Sequence, residues 1–225
     1  MAKGEDAGER REARFCRLGV LISGSGTNLE NIAAKIEEGY LRARIVVVIS
    51  DRGDAYGLVR ARRHGLQAVF LDPGSFPDRV SFDRELVRIL RENGVDLVVL
   101  AGYMRLVSPE FVEAFRNRIM NIHPALLPSF PGTSGVADAL AYGVKVSGVT
   151  VHFVDEGLDT GPIILQEAVP VLPGDDVASL HERIHGVEYR LYPEAIRLFC
   201  EGRLRVEGRQ VRILEGAGEE SIGLA

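Results

Sequence analysis

Short apolar runs alternate with amphipathic segments along most of the chain. The continuous runs are rich in β-branched residues and predict buried strands, whereas apolar positions three or four residues apart predict helices. The predicted strands cover residues 18–23, 44–50, 67–71, 96–101 and 118–122. The predicted helices cover residues 29–38, 56–64, 82–93 and 108–117, the third with Ser81 as N-cap and Gly94 as C-cap. This alternation indicates a parallel sheet with helices on both faces.

The pattern changes after a proline-rich loop at residues 123–135. Two longer strands at 146–154 and 163–171 favour an antiparallel pair, a long helix covers 176–199, and residues 204–214 suggest a small hairpin. We therefore expect an α/β fold. Its sheet is doubly wound, mainly parallel and Rossmann-like, in a single domain with an antiparallel C-terminal extension of the sheet.

The ends of the chain differ from this body. We expect residues 17–205 to form the domain, residues 1–16 to form a flexible tail, and residues 206–225 to form a C-terminal hairpin and tail. The first 15 residues are charged and lack the apolar segment of a secretory signal. All apolar runs are far shorter than the roughly 20 residues of a membrane helix, so no membrane partner is expected.

Charge and cysteine content narrow the possible partners. The 225 residues carry 27 basic and 32 acidic side chains, a net charge of −5, which argues against a nucleic-acid partner. A phosphorylated small molecule remains compatible with this balance. Cys16 and Cys200 are isolated in sequence and form neither a disulfide framework nor a metal motif, so we expect free thiols in a reducing cytoplasm.

A glycine-rich loop, Ser-Gly-Ser-Gly-Thr-Asn at residues 23–28, joins the first strand to the first helix. Glycines let backbone amides approach an anion, and a helix N-terminus favours negative charge. The spacing matches neither the dinucleotide fingerprint nor the P-loop. Two interpretations stay open: a plain tight turn, or a phosphate site with Thr27 and Asn28 as polar donors.

Asn121 and His123 lie at the end of the fifth predicted strand, and alternation along a strand places them on the same side. In doubly wound folds, ligands bind in the crevice beyond the carboxyl ends of the strands. A histidine there can move a proton near neutral pH, and an asparagine can donate to a developing oxyanion. The alternative is a structural histidine.

An acidic segment at residues 155–162 is compatible with an ordinary turn or with a carboxylate placed against His123. Such a carboxylate would raise the pKa of the imidazole and fix its orientation. Spacing alone does not decide between the two. His181 and His185 are four residues apart on a helix, but no third ligand accompanies them, so no metal site is predicted.

Four segments in this order resemble the phosphoribosylglycinamide formyltransferase family, also called folate-dependent glycinamide ribonucleotide transformylases. They are SGSGTNL at 23–29, AGYMRL at 101–106, NIHPALLPSFPG at 121–132 and LDTGP at 158–162. The resemblance covers about residues 17–205. It implies transfer of a formyl group from the cosubstrate 10-formyltetrahydrofolate to the amine of glycinamide ribonucleotide in purine synthesis, without a metal.

The resemblance also implies roles for individual residues. His123 would transfer the proton, Asn121 would hold the formyl oxygen as charge develops, and Asp159 would organise His123 and a water. The bond Leu127–Pro128 would be cis. One position departs from the family, because Ser134 stands where relatives often carry a histidine near the active site.

The implied substrate contacts fall into three groups. The ribonucleotide phosphate would bind at Gly26, Thr27 and Asn28, and the other end of that substrate near His185 and Glu188. The implied folate-binding residues are Arg79, Met104, Arg105, Leu106, Val107, Asn121, Asp155 and Asp159. We expect small-molecule partners and a monomer or homodimer.

Three other functions compete with this interpretation. A formyltetrahydrofolate hydrolase would share the Asn, His and Asp set. Such a hydrolase would carry an extra N-terminal regulatory domain, whereas only about 16 residues precede the first strand. A methionyl-tRNA formyltransferase would need a longer C-terminal domain and a basic surface. A non-catalytic module for a phosphorylated metabolite would keep the glycine loop and treat His123 as structural, and Ser134 is its best support.

Overall fold

Residues 15–215, the part of the chain that the computed structural model describes, fold around one nine-stranded sheet. The strands are β1 (Cys16–Ile22), β2 (Ala43–Ser50), β3 (Ala68–Phe70), β4 (Leu97–Leu100), β5 (Ile119–His123), β6 (Val146–Phe153), β7 (Ile163–Pro170), β8 (Leu204–Glu207) and β9 (Gln210–Ile213). The α-helices are α1 (Thr27–Glu37), α2 (Tyr56–Arg63), α3 (Arg79–Glu92), α4 (Pro109–Ala114), α5 (Gly135–Tyr142) and α6 (Val177–Cys200). A short 3₁₀ helix spans Pro73–Ser75.

The strand order is β3-β2-β1-β4-β5-β6-β7-β9-β8. Strands β1 to β5 pair in parallel, whereas β6 is antiparallel to both β5 and β7. The hairpin of β8 and β9 extends the sheet through a parallel contact of β9 with β7. The predicted fold, a mainly parallel doubly wound sheet with an antiparallel extension, is confirmed. The order reverses beside β1, where such folds open a crevice for ligands.

Burial on both faces explains the continuous apolar runs of the parallel strands. In β4 all four side chains are buried, with Leu97 and Val99 facing one core and Val98 and Leu100 facing the other. Helices α1, α2, α5 and α6 contribute to the first core, and α3 and α4 to the second. Because each face is covered by helices, neither needs the polar positions that an exposed strand face would carry.

The start of α3 corrects the prediction. Ser81 is not the N-cap, because the side chain of Asp78 accepts a hydrogen bond from the Ser81 N–H at 2.7 Å and the helix begins at Arg79. A carboxylate can satisfy an unpaired amide of the first turn, so helix α3 begins before its apolar periodicity becomes visible. Gly94, with φ of 61°, follows the end of this helix.

Helix α5 was not predicted. Its sequence offers little signal because the helix is short, it begins at a glycine, and Ser134 makes no side-chain cap to its first turn. Val136 is buried in the first core and the half-buried Leu140 packs against that core, so the two residues attach the helix. Tertiary packing therefore outweighs the weak local preference of this segment.

The chain ends are only partly described. Strand β1 begins at Cys16, a residue that the sequence places in the tail. Residues 1–14 of that predicted tail, and the end of the C-terminal segment, residues 216–225, lie outside the described residues. The division of the chain at 16 and 205 stays a prediction. No helix within residues 15–215 has the length and apolar character to cross a membrane.

Tyr192 attaches helix α6 to the centre of the sheet. Its side chain is fully buried, and its hydroxyl lies 3.0 Å from the carbonyl oxygen of Leu100 and 2.9 Å from that of Met120. A hydroxyl has one proton, so the two carbonyls share one donor. This contact holds α6 against β4 and β5, next to the residues at the end of β5.

We expect Tyr192→Phe to lower the free energy of unfolding by about 1–2 kcal/mol, because two buried carbonyl groups lose their shared donor. For a domain of this size, that loss corresponds to a decrease in Tm of roughly 2–8 °C. Tyr142→Phe is the control, because that side chain is 80% exposed. Calorimetry that gives equal Tm values for the two variants would contradict the expectation.

Candidate active site

Four polar side chains converge where β5 ends. Strands β5 and β6 are antiparallel neighbours, and their register sets Asn121 opposite His152 and His123 opposite Thr150. Asp159 belongs to the connection between β6 and β7 and returns to this point. The structure thus brings together the three residues to which the resemblance gives catalytic roles, and it adds His152.

Asp159 is the centre of the cluster. Its Oδ2 accepts a hydrogen bond from the Gly132 N–H at 2.8 Å and lies 3.5 Å from His123 Nδ1, and its Oδ1 lies 3.7 Å from His152 Nε2. Burial acts to raise the pKa of Asp159. The neighbouring ring of His152, the Gly132 N–H and the neighbouring ring of His123 together outweigh burial and lower this pKa below its ordinary value. The carboxyl group is therefore ionised at neutral pH.

The charge of Asp159 raises the pKa of His123, as expected for a carboxylate there, but the pKa still lies below its ordinary value. The side chain is 4% exposed, and this burial lowers its pKa more than the Phe130 carbonyl and the Asp159 charge raise it; His152 lowers it further. Burial disfavours the charged imidazolium more than one carboxylate at 3.5 Å stabilises it. At neutral pH the imidazole is thus uncharged, as a general base must be before it takes a proton.

His152 was missed as a site residue. Its Nδ1 lies 2.9 Å from the carbonyl oxygen of Phe153 and its Nε2 lies 3.2 Å from Nδ2 of Asn121. A carbonyl only accepts, so Nδ1 carries the hydrogen and Nε2 accepts from the Asn121 amide. The amide orientation of Asn121 is thereby set, with its second N–H available to another acceptor. Only the strand register, which the sequence does not reveal, could have indicated this pair.

The glycine loop has the geometry of an anion site. Gly26 precedes α1 with φ of 73°, and a Cβ there would lie 2.6 Å from Cα of Gly57, so no side chain fits. No side chain caps the first turn of α1, where Thr27 and Asn28 lie. The amides at the start of this helix are therefore available to a phosphate.

The second group of predicted substrate residues adjoins this loop. Nδ2 of Asn28 donates to Oε2 of Glu188 at 3.1 Å across 160 residues of sequence, and His185 Nε2 lies 3.8 Å from the same oxygen. Burial raises the pKa of Glu188 to about 7, although the bond from Asn28 opposes this. Burial and the neighbouring His181 lower the pKa of His185. Within residues 15–215, no three His, Cys, Asp or Glu side chains are grouped to hold a metal ion.

The predicted folate segment follows β4 and exposes apolar side chains. Met104 is 63% and Leu106 55% exposed, so this segment presents two apolar side chains to solvent. The hydroxyl of Ser23 accepts from the Met104 N–H at 2.9 Å and donates to Asp51 at 2.6 Å. One side chain thus connects the glycine loop to this segment.

The remaining predicted folate residues lie in different surroundings. Burial raises the pKa of the Asp83 carboxyl group, and the positive charges of Arg79 and Arg105 oppose this increase. Asp83 accepts a hydrogen bond from the Ser108 N–H at 2.5 Å. This bond holds the end of the segment just beyond the half-buried Val107. Asp155 instead stabilises its own turn, since its Oδ1 accepts from the Gly157 N–H and the Thr160 hydroxyl.

Two features of the loop after β5 bear on the resemblance. The bond Leu127–Pro128 is cis, as the resemblance implies. Ser134 is exposed, and it directly precedes α5. The position that relatives often fill with a histidine therefore lies at the surface. The contacts of Asp159 with Gly132, His123 and His152 do not involve it.

Known proteins are similar to this chain in sequence. A family model described as formyl transferase matches residues 16–196. The phosphoribosylglycinamide formyltransferase of Haemophilus influenzae is 43% identical over 210 residues, which cover 93% of this chain and 98% of that protein. The trifunctional purine biosynthetic protein adenosine-3 of Drosophila pseudoobscura pseudoobscura is 46% identical over 191 residues, and the match covers 84% of this chain. The chain spans only 14% of the length of this trifunctional relative.

Solved structures are similar over nearly the same span. Glycinamide ribonucleotide transformylase 1 from Symbiobacterium toebii is 60% identical with a TM-score of 0.88, covering 89% of this chain and 95% of that one. Phosphoribosylglycinamide formyltransferase from Bacillus halodurans is 44% identical with a TM-score of 0.79, and the match covers 80% of this chain and 93% of that one.

We expect Glu188→Gln to stabilise the unliganded protein at high pH. A carboxyl group with a folded pKa of about 7 binds more protons when folded than when unfolded, so stability falls as the pH rises through the window from 4.5 to 7. Glutamine does not titrate, so the variant should gain up to about 3 kcal/mol at pH 8 and little near pH 4. Calorimetric Tm values at both pH values measure this.

Glu182→Gln on the same helix is the matched control, because that side chain is exposed. Its Tm difference from the natural protein should not depend on pH. An equal pH dependence of the two variants would contradict the assignment of a raised pKa to Glu188.

Proposed function

The chain belongs to the formyl transferase family, and we propose that it moves the formyl group of 10-formyltetrahydrofolate to the amine of glycinamide ribonucleotide in purine synthesis. The observation that carries this proposal is the cluster at the end of β5. It joins an uncharged buried His123, an ionised Asp159 whose Oδ2 lies 3.5 Å from the ring, and an Asn121 amide that is oriented by His152.

The chemistry of formyl transfer fits these groups. The amine nitrogen attacks the formyl carbon, a C–N bond forms, and the carbonyl oxygen takes the negative charge. The free N–H of Asn121 donates to that oxygen. His123 takes the proton that the amine loses, and the charge of Asp159 stabilises the imidazolium. When the bond from carbon to N10 of the folate breaks, the proton passes to N10, and no residue is acylated.

The two substrates approach from opposite sides of this cluster. The phosphate binds the uncapped amides at Gly26, Thr27 and Asn28, and the far end of that substrate lies against His185 and Glu188. Folate lies along the exposed apolar segment 104–107. The hydrogen bond from Asn28 to Glu188 supports this placement of the ribonucleotide, because it connects the phosphate region to the region that would hold the far end of the substrate.

We also place the protein in the cytoplasm with small molecules as its partners, acting as a monomer or homodimer. Within residues 15–215 both cysteines, Cys16 and Cys200, are free.

We expect His123→Ala and Asp159→Asn to lower kcat by roughly 10²–10⁴-fold, because each removes part of the proton-transfer pair. Binding of the ribonucleotide, measured by calorimetry, should change little, since its phosphate contacts lie at α1. His64→Ala is the control, because His64 contacts Glu30 and Glu37 instead. Unchanged folate turnover in either variant would refute the mechanism.

An assay that follows the absorbance of the folate during turnover separates the competing functions. Turnover of 10-formyltetrahydrofolate should depend on added glycinamide ribonucleotide. Equal turnover without the ribonucleotide would identify a hydrolase. Binding of the ribonucleotide without any turnover would favour a non-catalytic module.

A further inference from the structure

The two ring nitrogens of His123 face different groups. Nε2 lies 2.7 Å from the main-chain carbonyl oxygen of Phe130, and Nδ1 lies 3.5 Å from Oδ2 of Asp159. A carbonyl has no hydrogen to donate, so the contact at 2.7 Å requires a hydrogen on Nε2. A neutral imidazole carries one hydrogen, and Nδ1 is therefore bare.

The distance between Nδ1 and Asp159 agrees with this assignment. A bare ring nitrogen and a carboxylate oxygen are both acceptors, and their separation of 3.5 Å is longer than a hydrogen bond between them would be. Once Nδ1 takes a proton, the same pair becomes oppositely charged. The carboxylate thus favours the arrival of a proton at Nδ1 and at no other atom of the ring.

The Phe130 carbonyl is held by an unusual backbone. Phe130 has φ of 53°, in the left-handed region that a bulky residue rarely adopts. Its ring packs edge-on against Tyr142 of α5, with the ring centroids 5.8 Å apart. Packing against α5 therefore stabilises a conformation that the isolated loop would not favour.

The first residue of α5 covers the hydrogen bond itself. A Cβ built on Gly135 would lie 3.2 Å from Nε2 of His123 and 3.2 Å from the Phe130 carbonyl oxygen. Gly135 is buried, so the backbone of the helix start closes over this contact. A side chain here would crowd both bonded atoms, and one of them would have to move by a few tenths of an ångström.

We propose that Phe130 is a positioning residue, whose carbonyl keeps His123 in the tautomer with hydrogen on Nε2 so that Nδ1 accepts the proton of the amine. The inference rests on the proposed function for the role of Nδ1, but the tautomer is a property of the unliganded protein. During the reaction Nδ1 gains the amine proton while Nε2 stays bonded to Phe130, and Nδ1 then returns the proton to N10.

The first experiment is ¹⁵N NMR of the full chain labelled at histidine, without substrates, at pH 8. His123 is assigned by loss of its signals in His123→Gln. We expect a protonated Nε2 and a bare Nδ1 for His123. His152 should show the opposite tautomer, with hydrogen on Nδ1, and so serves as an internal reference. A hydrogen on Nδ1 of His123, or an exchanging mixture, would overturn the proposal.

The second experiment compares Phe130→Val with Phe130→Tyr. A β-branched residue is strongly disfavoured at φ of 53°, so valine should displace the carbonyl, produce a mixture of His123 tautomers and lower kcat at least about tenfold. Tyrosine keeps the ring packing and should retain both tautomer and rate. The KM for the ribonucleotide should stay within about twofold, and unchanged His152 signals show that the fold persists. A rate loss in Phe130→Val without a tautomer change would refute the role of Phe130.

Gly135→Ala tests the same bond if the valine variant does not fold. Its methyl group should displace the contact and shift the tautomer in the same direction. Gly186→Ala is its control, since an added methyl there meets nothing within 4 Å. Absence of formyl transfer in the natural protein, with Nε2 of His123 protonated, would refute the proposed function but leave the tautomer assignment intact.

Discussion

The antiparallel pairing of β5 with β6 is the constraint on which the site depends. It is the point at which the parallel sheet reverses direction, and its register places His152 directly across from Asn121. A slip of one residue would turn every side chain of β6 to the other face of the sheet. The connection after β6 then returns Asp159 to His123, so the whole polar cluster follows from one register.

Burial and the neighbouring polar groups together set the charge of each ionisable side chain in the two parts of the site. His123 and Glu188 are buried with little compensation, so the pKa of the imidazole falls and that of the carboxyl group rises. Asp159 is buried too, but the two neighbouring imidazoles and the Gly132 N–H lower its pKa. The same low-dielectric surroundings therefore give a neutral base beside an ionised carboxylate.

Single side chains connect regions that are far apart in sequence. Ser23 joins the glycine loop to the segment after β4, Asn28 joins that loop to α6, and Tyr192 joins α6 to β4 and β5. The two substrate regions and the polar cluster are consequently held by shared contacts. In the same way, Phe130 connects α5 to the ring of His123.

The sequence by itself determined the sheet, most helices and the location of the site. Apolar periodicity is a local consequence of burial on both strand faces. Gly26 occupies a turn with positive φ, and Asn121 and His123 are two residues apart in β5 and so share one side of it. The four motifs also sufficed to indicate formyl transfer. These features depend on residues that are close in sequence.

Only the tertiary structure determined which side chains meet in the site and which of their atoms carry hydrogen. His152 enters the site through a strand register, α5 forms because Val136 and Leu140 meet a core, and the pKa of His123 falls because distant segments bury it. The tautomer of His123 depends on a carbonyl seven residues away, held by a helix that local sequence does not predict. Strand register and desolvation arise only when remote segments pack together, so no local pattern encodes them.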